Sequence, residues 1–288
     1  MRPFKKPVRT KISILVPFQS EDAWRLSAWY WVQRYLKDAL PEAEIIIGVD
    51  PESKKKRRKS KQKPFSKTTA VNRAFKKSHG DVIVILDADA YIDTEVIKHC
   101  AERIRAARAI GSKLWFVPYL WIYRLTKDST MEVLNSKPKD PHIFSDPPAD
   151  NEVEGTDGSG WGRKFGALVQ IMPREAFELV GGMDERFRGW GGEDVSFLKA
   201  LDTLWAKHSN TPNNVLHLWH TKILANDWRD GEGNNSQVRA WENQNTEVES
   251  NDWLSTQYSK ANGNIDKMKT LINERKPQTW QTKILRGK

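Results

Sequence analysis

Asp81-Val82-Ile83-Val84-Ile85-Leu86-Asp87-Ala88-Asp89 is the stretch on which the fold turns. An unbroken apolar run, rich in β-branched residues and bounded by acids, reads as a buried strand of the kind that parallel sheets contain. It has counterparts upstream. Lys11 to Phe18 is a short apolar run that Pro17 closes, and Glu44 to Val49 is another, ending at Asp50. Helical spacing fills the intervals. Ser20 is the expected N-cap of a helix through Leu40, on which Trp24, Ala28, Trp31, Tyr35 and Ala39 recur, and Pro41 stops it. Further helices are expected from about Ser66 to Ser78 and from about Thr94 to Ile110, with a strand near Leu114 to Pro118. Strand, helix, strand, helix, strand predicts an α/β fold: an open, mostly parallel sheet flanked by helices. Ligands bind such sheets beyond the carboxyl ends of the strands, where Asp50, Asp87 and Asp89 all stand.

After Lys127 the alternation is expected to break down. Residues 135–163 carry Pro138, Pro141, Pro147, Pro148, Gly155, Gly158, Gly160 and Gly162, an irregular segment suited to acceptor contacts. Pro173 to Val180 reads as a short helix and Val215 to Trp219 as a short strand. The polar tail from Asn226 has helical stretches around Val238 to Tyr258 and Ile265 to Glu274, and the expectation is a helical C-terminal extension, 223–288, on a catalytic domain of 1–222.

Composition bounds the rest. No run approaches the roughly 20 apolar residues that a membrane helix needs, and the first residues lack an apolar signal core. Cys100 is the single cysteine and cannot form an internal disulfide, so a reducing cytoplasm is the expected location. The net charge of +10 is mostly local, because Lys54, Lys55, Lys56, Arg57, Arg58, Lys59, Lys61 and Lys63 place eight positive charges in ten residues. Such a run is either a solvated loop or localisation signal, or a tether for a polyanion.

Two groups of residues carry chemistry. Asp87 and Asp89, at the end of a buried strand, are hard oxygen ligands suited to Mg²⁺ or Mn²⁺ bridging a diphosphate, although Asp also ends strands simply because it turns the chain. His217 and His220 follow near the end of another strand; residues three apart face opposite sides, so one of them, with His220 favoured, is the expected ligand unless the chain bends. An imidazole in the set favours Mn²⁺. The second group is Gly181-Gly182-Met183-Asp184-Glu185-Arg186-Phe187-Arg188-Gly189-Trp190-Gly191-Gly192-Glu193-Asp194. Its glycines let Trp190 swing over a ligand while Glu193 and Asp194 stay at a helix start, and the plainer reading is a glycine-rich turn with a buried Trp.

Taken together the motifs resemble a known family. Val16-Pro17-Phe18, Val71-Asn72-Arg73-Ala74, Asp87-Ala88-Asp89, Phe165-Gly166-Ala167, Trp190-Gly191-Gly192-Glu193-Asp194 and His217 to His220 occur in the order found in β-1,4-galactosyltransferase-like enzymes. These are GT-A glycosyltransferases, related to polypeptide N-acetylgalactosaminyltransferases, and the similarity spans roughly 11–222, with 11–118 as the nucleotide-sugar half and 119–222 as the acceptor half. The resemblance implies that Pro17, Phe18 and Asp50 contact the uracil and ribose of a UDP-sugar, that Arg73 faces its diphosphate, and that Asp89 and His220 hold the metal. It makes Trp190 the mobile lid, Glu193 an acceptor or sugar ligand, and Asp194 the base of an inverting transfer. Gln19 stands where the family has Arg, and Lys164 where it often has an aromatic that helps select the donor sugar.

The expected function is metal-dependent transfer of a hexose or N-acetylhexosamine from a UDP-sugar to a hydroxyl. With the Lys54–Lys63 run, the acceptor expected first is hydroxymethylated DNA, as for some bacteriophage enzymes, in which case the location is the host cytoplasm; a protein or glycan is the alternative. A non-catalytic nucleic-acid-binding protein is the rival from another class, and it needs neither the strand-end acids nor a glycine-flanked Trp.

Overall fold

The computed structural model describes residues 11–20, 22–53, 65–156, 168–189, 191–221 and 251–275. The Lys54–Lys63 run, Trp190, Lys164 with the Phe165–Ala167 motif, and the expected helix before residue 251 lie outside these.

The first half alternates as expected: β1 (Ile12–Pro17), α1 (Ala23–Ala39), β2 (Glu44–Gly48), α2 (Lys67–Phe75), β3 (Val82–Leu86), the short β4 (Ala90–Tyr91) and α3 (Thr94–Ala109). Each helix is capped by a side-chain oxygen. Ser66 caps α2, but the cap of α1 is Asp22 rather than the expected Ser20: the Asp22 carboxylate accepts from the Arg25 amide at 2.9 Å, while Ser20 accepts from the Asp22 amide one step earlier.

The chain keeps regular elements past Lys127, although strands and helices there come mostly in pairs rather than in alternation. It continues through β5 (Phe116–Val117), β6 (Trp121–Leu125), α4 (Lys127–Asn135), β7 (Val153–Thr156), β8 (Val169–Pro173), α5 (Arg174–Leu179), α6 (Glu193–Leu204), β9 (Ser209–Asn210) and β10 (Asn214–His217). Among the described residues the tail adds α7 (Asn251–Ala261) and α8 (Ile265–Asn273). Thr126 starts α4 by accepting from the Ser129 amide, a local signal that the proline-rich stretch just beyond obscures.

The strands form two sheets. One has six strands in the order β2-β1-β3-β8-β5-β9, with β1 parallel to both β2 and β3, and the other has four in the order β4-β10-β6-β7. β8 enters the larger sheet antiparallel to β3, pairing Val82 with Pro173 through Leu86 with Val169. Its periodicity is blurred because the buried Gln170 interrupts the apolar run. β1 and β3 are buried almost throughout, as befits strands covered on both faces.

α2 lies against β1 and β2 at unusually close range. A methyl group added to Gly48 would run into the Ala70 carbonyl of α2, so a residue without Cβ lets the helix sit on the sheet edge and aims its first turn at the strand ends. Gly48→Ala is therefore expected to force α2 outward and cost roughly 1–3 kcal/mol, read as a lower denaturant midpoint with an unchanged slope.

Candidate active site

The carboxyl ends of the adjacent parallel strands β2, β1 and β3 lie along one edge of the larger sheet. Asp87 and Asp89 follow β3 directly, and there they part company. Asp87 faces Lys67, whose ammonium lies 2.8 Å from Asp87 Oδ1 and 2.9 Å from Asp194 Oδ2. Lys67 is the first residue of α2 and Asp194 the second of α6, so a single cation joins the end of the central strand to the helix start beyond the glycine-rich loop. Gly189, Gly191 and Gly192 have φ values of 67°, 114° and 84°, a region open chiefly to glycine, and Gly192 serves as the left-handed N-cap of α6. Glu193 curls back to accept from the Gly191 amide at 3.1 Å.

The electrostatics of this cluster follow from burial. Burial raises the carboxyls of Asp87, Glu193 and Asp194, and Asp194 is pushed up to about 7 although the Lys67 ammonium pulls it down, because Glu193 and Asp87 add to the upward push. Lys67 moves the other way: burial would lower it, but Asp194, Asp87 and Glu193 hold the ammonium firmly charged.

Asp89 belongs to a different cluster. Its backbone carbonyl accepts from the Leu218 amide, and β10 pairs with β4 so that His217 lies opposite Ala90. β10 ends at His217 and the chain then bends, with the Trp219 amide tied to Thr130 Oγ1 at 2.8 Å. The bend removes the strand alternation that would have kept one histidine away. His217 Nε2 lies 3.8 Å from Asp89 Oδ1 and His220 Nε2 lies 3.8 Å from Asp89 Oδ2. One ligand atom from each residue falls within 4.8 Å of the others, a spacing that a divalent cation could close. His220 Nδ1 is 3.1 Å from the Thr221 carbonyl, which can only accept, so Nδ1 carries the proton and Nε2 keeps its lone pair. Burial alone would raise Asp89, but His217 and the Arg25 guanidinium hold it well below the usual carboxylate range. The donor set and the tautomer both fit a metal.

The remaining expected residues fall as follows. Pro17 and Phe18 end β1, with the Phe18 amide donating to the Gly48 carbonyl and its ring 5.9 Å from that of Trp29. Asp50 is fully buried and its carboxylate is already engaged: it accepts from the Glu52 amide at 3.0 Å, the Ser66 amide at 3.1 Å and Arg188 Nη1 at 3.1 Å. Because Asp50 is fully buried, a nucleoside could reach its carboxylate only if the surrounding groups moved. Arg73 sits in the last turn of α2, six residues from Lys67 and about 9 Å along the helix at 1.5 Å per residue. The cation that α2 delivers to the acids is Lys67. Asn72 from the same motif is buried and works structurally, accepting from the Met183 amide and donating to the Met183 carbonyl and Glu185.

Lys67, Arg25 and Arg188 were not singled out from the sequence. A signal existed for two of them: Arg25 and Lys67 both occupy the first turn of a helix, where the dipole disfavours a positive charge. A cation there needs nearby anions to make the placement favourable.

The glycine-rich loop is also held from behind. Asn251, the first residue of α7, donates to the Arg188 carbonyl at 2.8 Å and accepts from its amide at 3.3 Å. Buried Asp184 gathers Arg186, the Tyr258 hydroxyl at 3.0 Å and the Arg275 guanidinium at 3.4 Å, and Arg275 donates to the carbonyls of Val180 and Gly182. Removing Arg188 would strand the buried Asp50 carboxylate. Arg188→Ala is expected to cost about 3–5 kcal/mol of stability in equilibrium denaturation.

Residues 43–170 match the family model "Glycosyl transferase family 2", and residues 151–210 match "N-terminal domain of galactosyltransferase". The chain is 27% identical over 151 residues to human chondroitin sulfate N-acetylgalactosaminyltransferase 2 and 25% identical over 158 residues to human chondroitin sulfate N-acetylgalactosaminyltransferase 1. Those alignments cover 51% and 53% of this chain but only 25% and 26% of the human proteins, so the chain spans about a quarter of the relatives it matches. Among solved structures, the catalytic domain of Drosophila β1,4-galactosyltransferase 7 with xylobiose aligns at 17% identity over 70% of this chain and 64% of that one, with a TM-score of 0.34.

Proposed function

We propose that this chain, which carries a GT-A glycosyltransferase domain, transfers a hexose or N-acetylhexosamine from a UDP-sugar to an acceptor hydroxyl with inversion at the anomeric carbon. The observation that carries the reading is the bridge from Asp87 through Lys67 to Asp194, which turns a strand-end acid and a helix-start acid into one cleft. In this reading residues 11–118 form the nucleotide-sugar half, 119–222 the acceptor half, and 223–288 a helical extension.

Asp194 is the base. It takes the proton from the acceptor hydroxyl as that oxygen attacks the anomeric carbon and the bond to UDP breaks, the bonding electrons leaving with the diphosphate. Lys67 holds Asp194 in place and must release it, at least in part, when the acceptor hydroxyl arrives. Glu193 lies beside the base to orient the sugar or acceptor, and Trp190 would close over them. Asp89, His217 and His220 would hold Mn²⁺ or Mg²⁺, with the two imidazoles favouring Mn²⁺. Such an ion supplies positive charge for the departing diphosphate. Pro17, Phe18 and Asp87 line the donor side, and Asp50 supports it through the α2 cap and Arg188.

For the acceptor, a glycan is the first reading, because the curated relatives are by name transferases of chondroitin sulfate. Hydroxymethylated DNA is the second, resting on the Lys54–Lys63 run, whose charge would suit any polyanion. A purely nucleic-acid-binding role leaves the Asp87, Lys67 and Asp194 bridge without a purpose. UDP release measured with acidic oligosaccharides and with hydroxymethylated DNA as acceptors separates the two.

The mechanism makes three predictions. Asp194→Asn should lower kcat by about 10²–10⁴-fold while leaving UDP-sugar affinity close to that of the parent. In the parent, activity should be present above about pH 7 and fall away below it, since a base with a raised pKa becomes protonated and idle as pH drops through that value; the acidic limb of the kcat profile measures it. Chelation by EDTA should silence transfer and added Mn²⁺ restore it, and full turnover in EDTA would remove the metal from the reading.

A further inference from the structure

Arg25 lies against two of the three residues that would hold the cation. Its Nε lies 3.3 Å from Asp89 Oδ2 and its Nη2 lies 3.3 Å from His220 Nε2. A guanidinium can only donate, so His220 Nε2 is accepting through the same lone pair that a metal would use. The Thr221 carbonyl on Nδ1 enforces that tautomer from the other side of the ring. Arg25 therefore engages two of the three candidate ligand residues, Asp89 through the carboxylate oxygen nearer His220.

We propose that Arg25 is a resident stand-in for the divalent cation, holding Asp89 and His220 converged while the ion is out and competing with it for the same two lone pairs. The inference rests on the metal reading of this site. Three physical points carry it. A carboxylate as buried as Asp89 needs a positive partner before any ion arrives, and Arg25 supplies it. A guanidinium does not lose its proton, so Arg25 cannot yield by becoming neutral; it must move. Its side chain is 23% exposed, against 7% for Asp89 and 2% for His220, so the arginine has an outlet toward solvent that its two partners lack. Ion entry then exchanges one cation for another without leaving Asp89 uncompensated. The exchange also frees a guanidinium beside the ion, where it can meet an anionic donor.

The test titrates Mn²⁺ alone into the full chain without donor, following the free-ion electron paramagnetic resonance signal. If Arg25 competes, Arg25→Gln binds Mn²⁺ at least about tenfold more tightly than the parent, the range expected when charge-assisted hydrogen bonds no longer have to be broken. Arg25→Lys also binds more tightly than the parent, because a single ammonium lacks the fork that reaches both ligand atoms, and it carries the test if Arg25→Gln does not fold by circular dichroism. Equal or weaker Mn²⁺ affinity in the folded variants overturns the proposal. Asp89→Asn in each background separates the two layers. Mn²⁺ binding that Asp89→Asn abolishes, with no tightening on loss of Arg25, sinks the stand-in alone, whereas no binding in any background sinks the metal reading and the stand-in with it.

Discussion

Burying carboxylates at the ends of parallel strands is the constraint on which the rest depends. Asp50 and Asp89 are buried and Asp87, Glu193 and Asp194 half-buried, and each such charge is costly unless a partner sits within bonding distance. Arg188, Lys67 and Arg25 supply those partners. Two of the three come from helix first turns, where the dipole alone would have selected acids. The acids and the cations are thus misplaced by local rules and correct only together. Such violations, satisfied across a cleft, are typical of functional sites.

The same logic divides the site. Asp87 and Asp89 are two residues apart, yet one is drawn to Lys67 and Asp194 and the other to Arg25, His217 and His220. The division leaves a basic carboxylate at one end of the cleft and a metal-competent cluster at the other. Transfer between a leaving diphosphate and an attacking hydroxyl needs those two functions apart but within one substrate's reach. Asp194, pushed up, is suited to take a proton near neutrality; Asp89, held low, is suited to stay charged.

Behind the cleft, α7 and α8 brace the glycine-rich loop. Asn251 pins both backbone groups of Arg188, and Arg275 with Tyr258 pins the buried Asp184. Glycines that free the loop to adopt left-handed angles also free it to wander, and helices packed against its back limit that cost. The buried anchors Leu254, Tyr258, Ala261, Met268 and Leu271 stand at helical spacing, which marks the two helices but not the loop they pack against.

By itself the sequence determined the alternation of β1 through α3, the acids at strand ends, and the glycine-bracketed start of α6, since periodicity, caps and turn residues are properties of short windows. It left β8 hidden behind Gln170, placed the α1 cap two residues early, and passed over α4, which Thr126 caps. Which acid meets which cation was beyond it. Arg25 reaches Asp89 across 64 positions and His220 across 195, Lys67 reaches Asp194 across 127, and Arg188 reaches Asp50 across 138. A window of a dozen residues carries no information about such pairings. They are decided when Gly48 lets α2 down onto the sheet and the bend after β10 swings His220 round beside His217, bringing together charges that no local preference would have placed face to face.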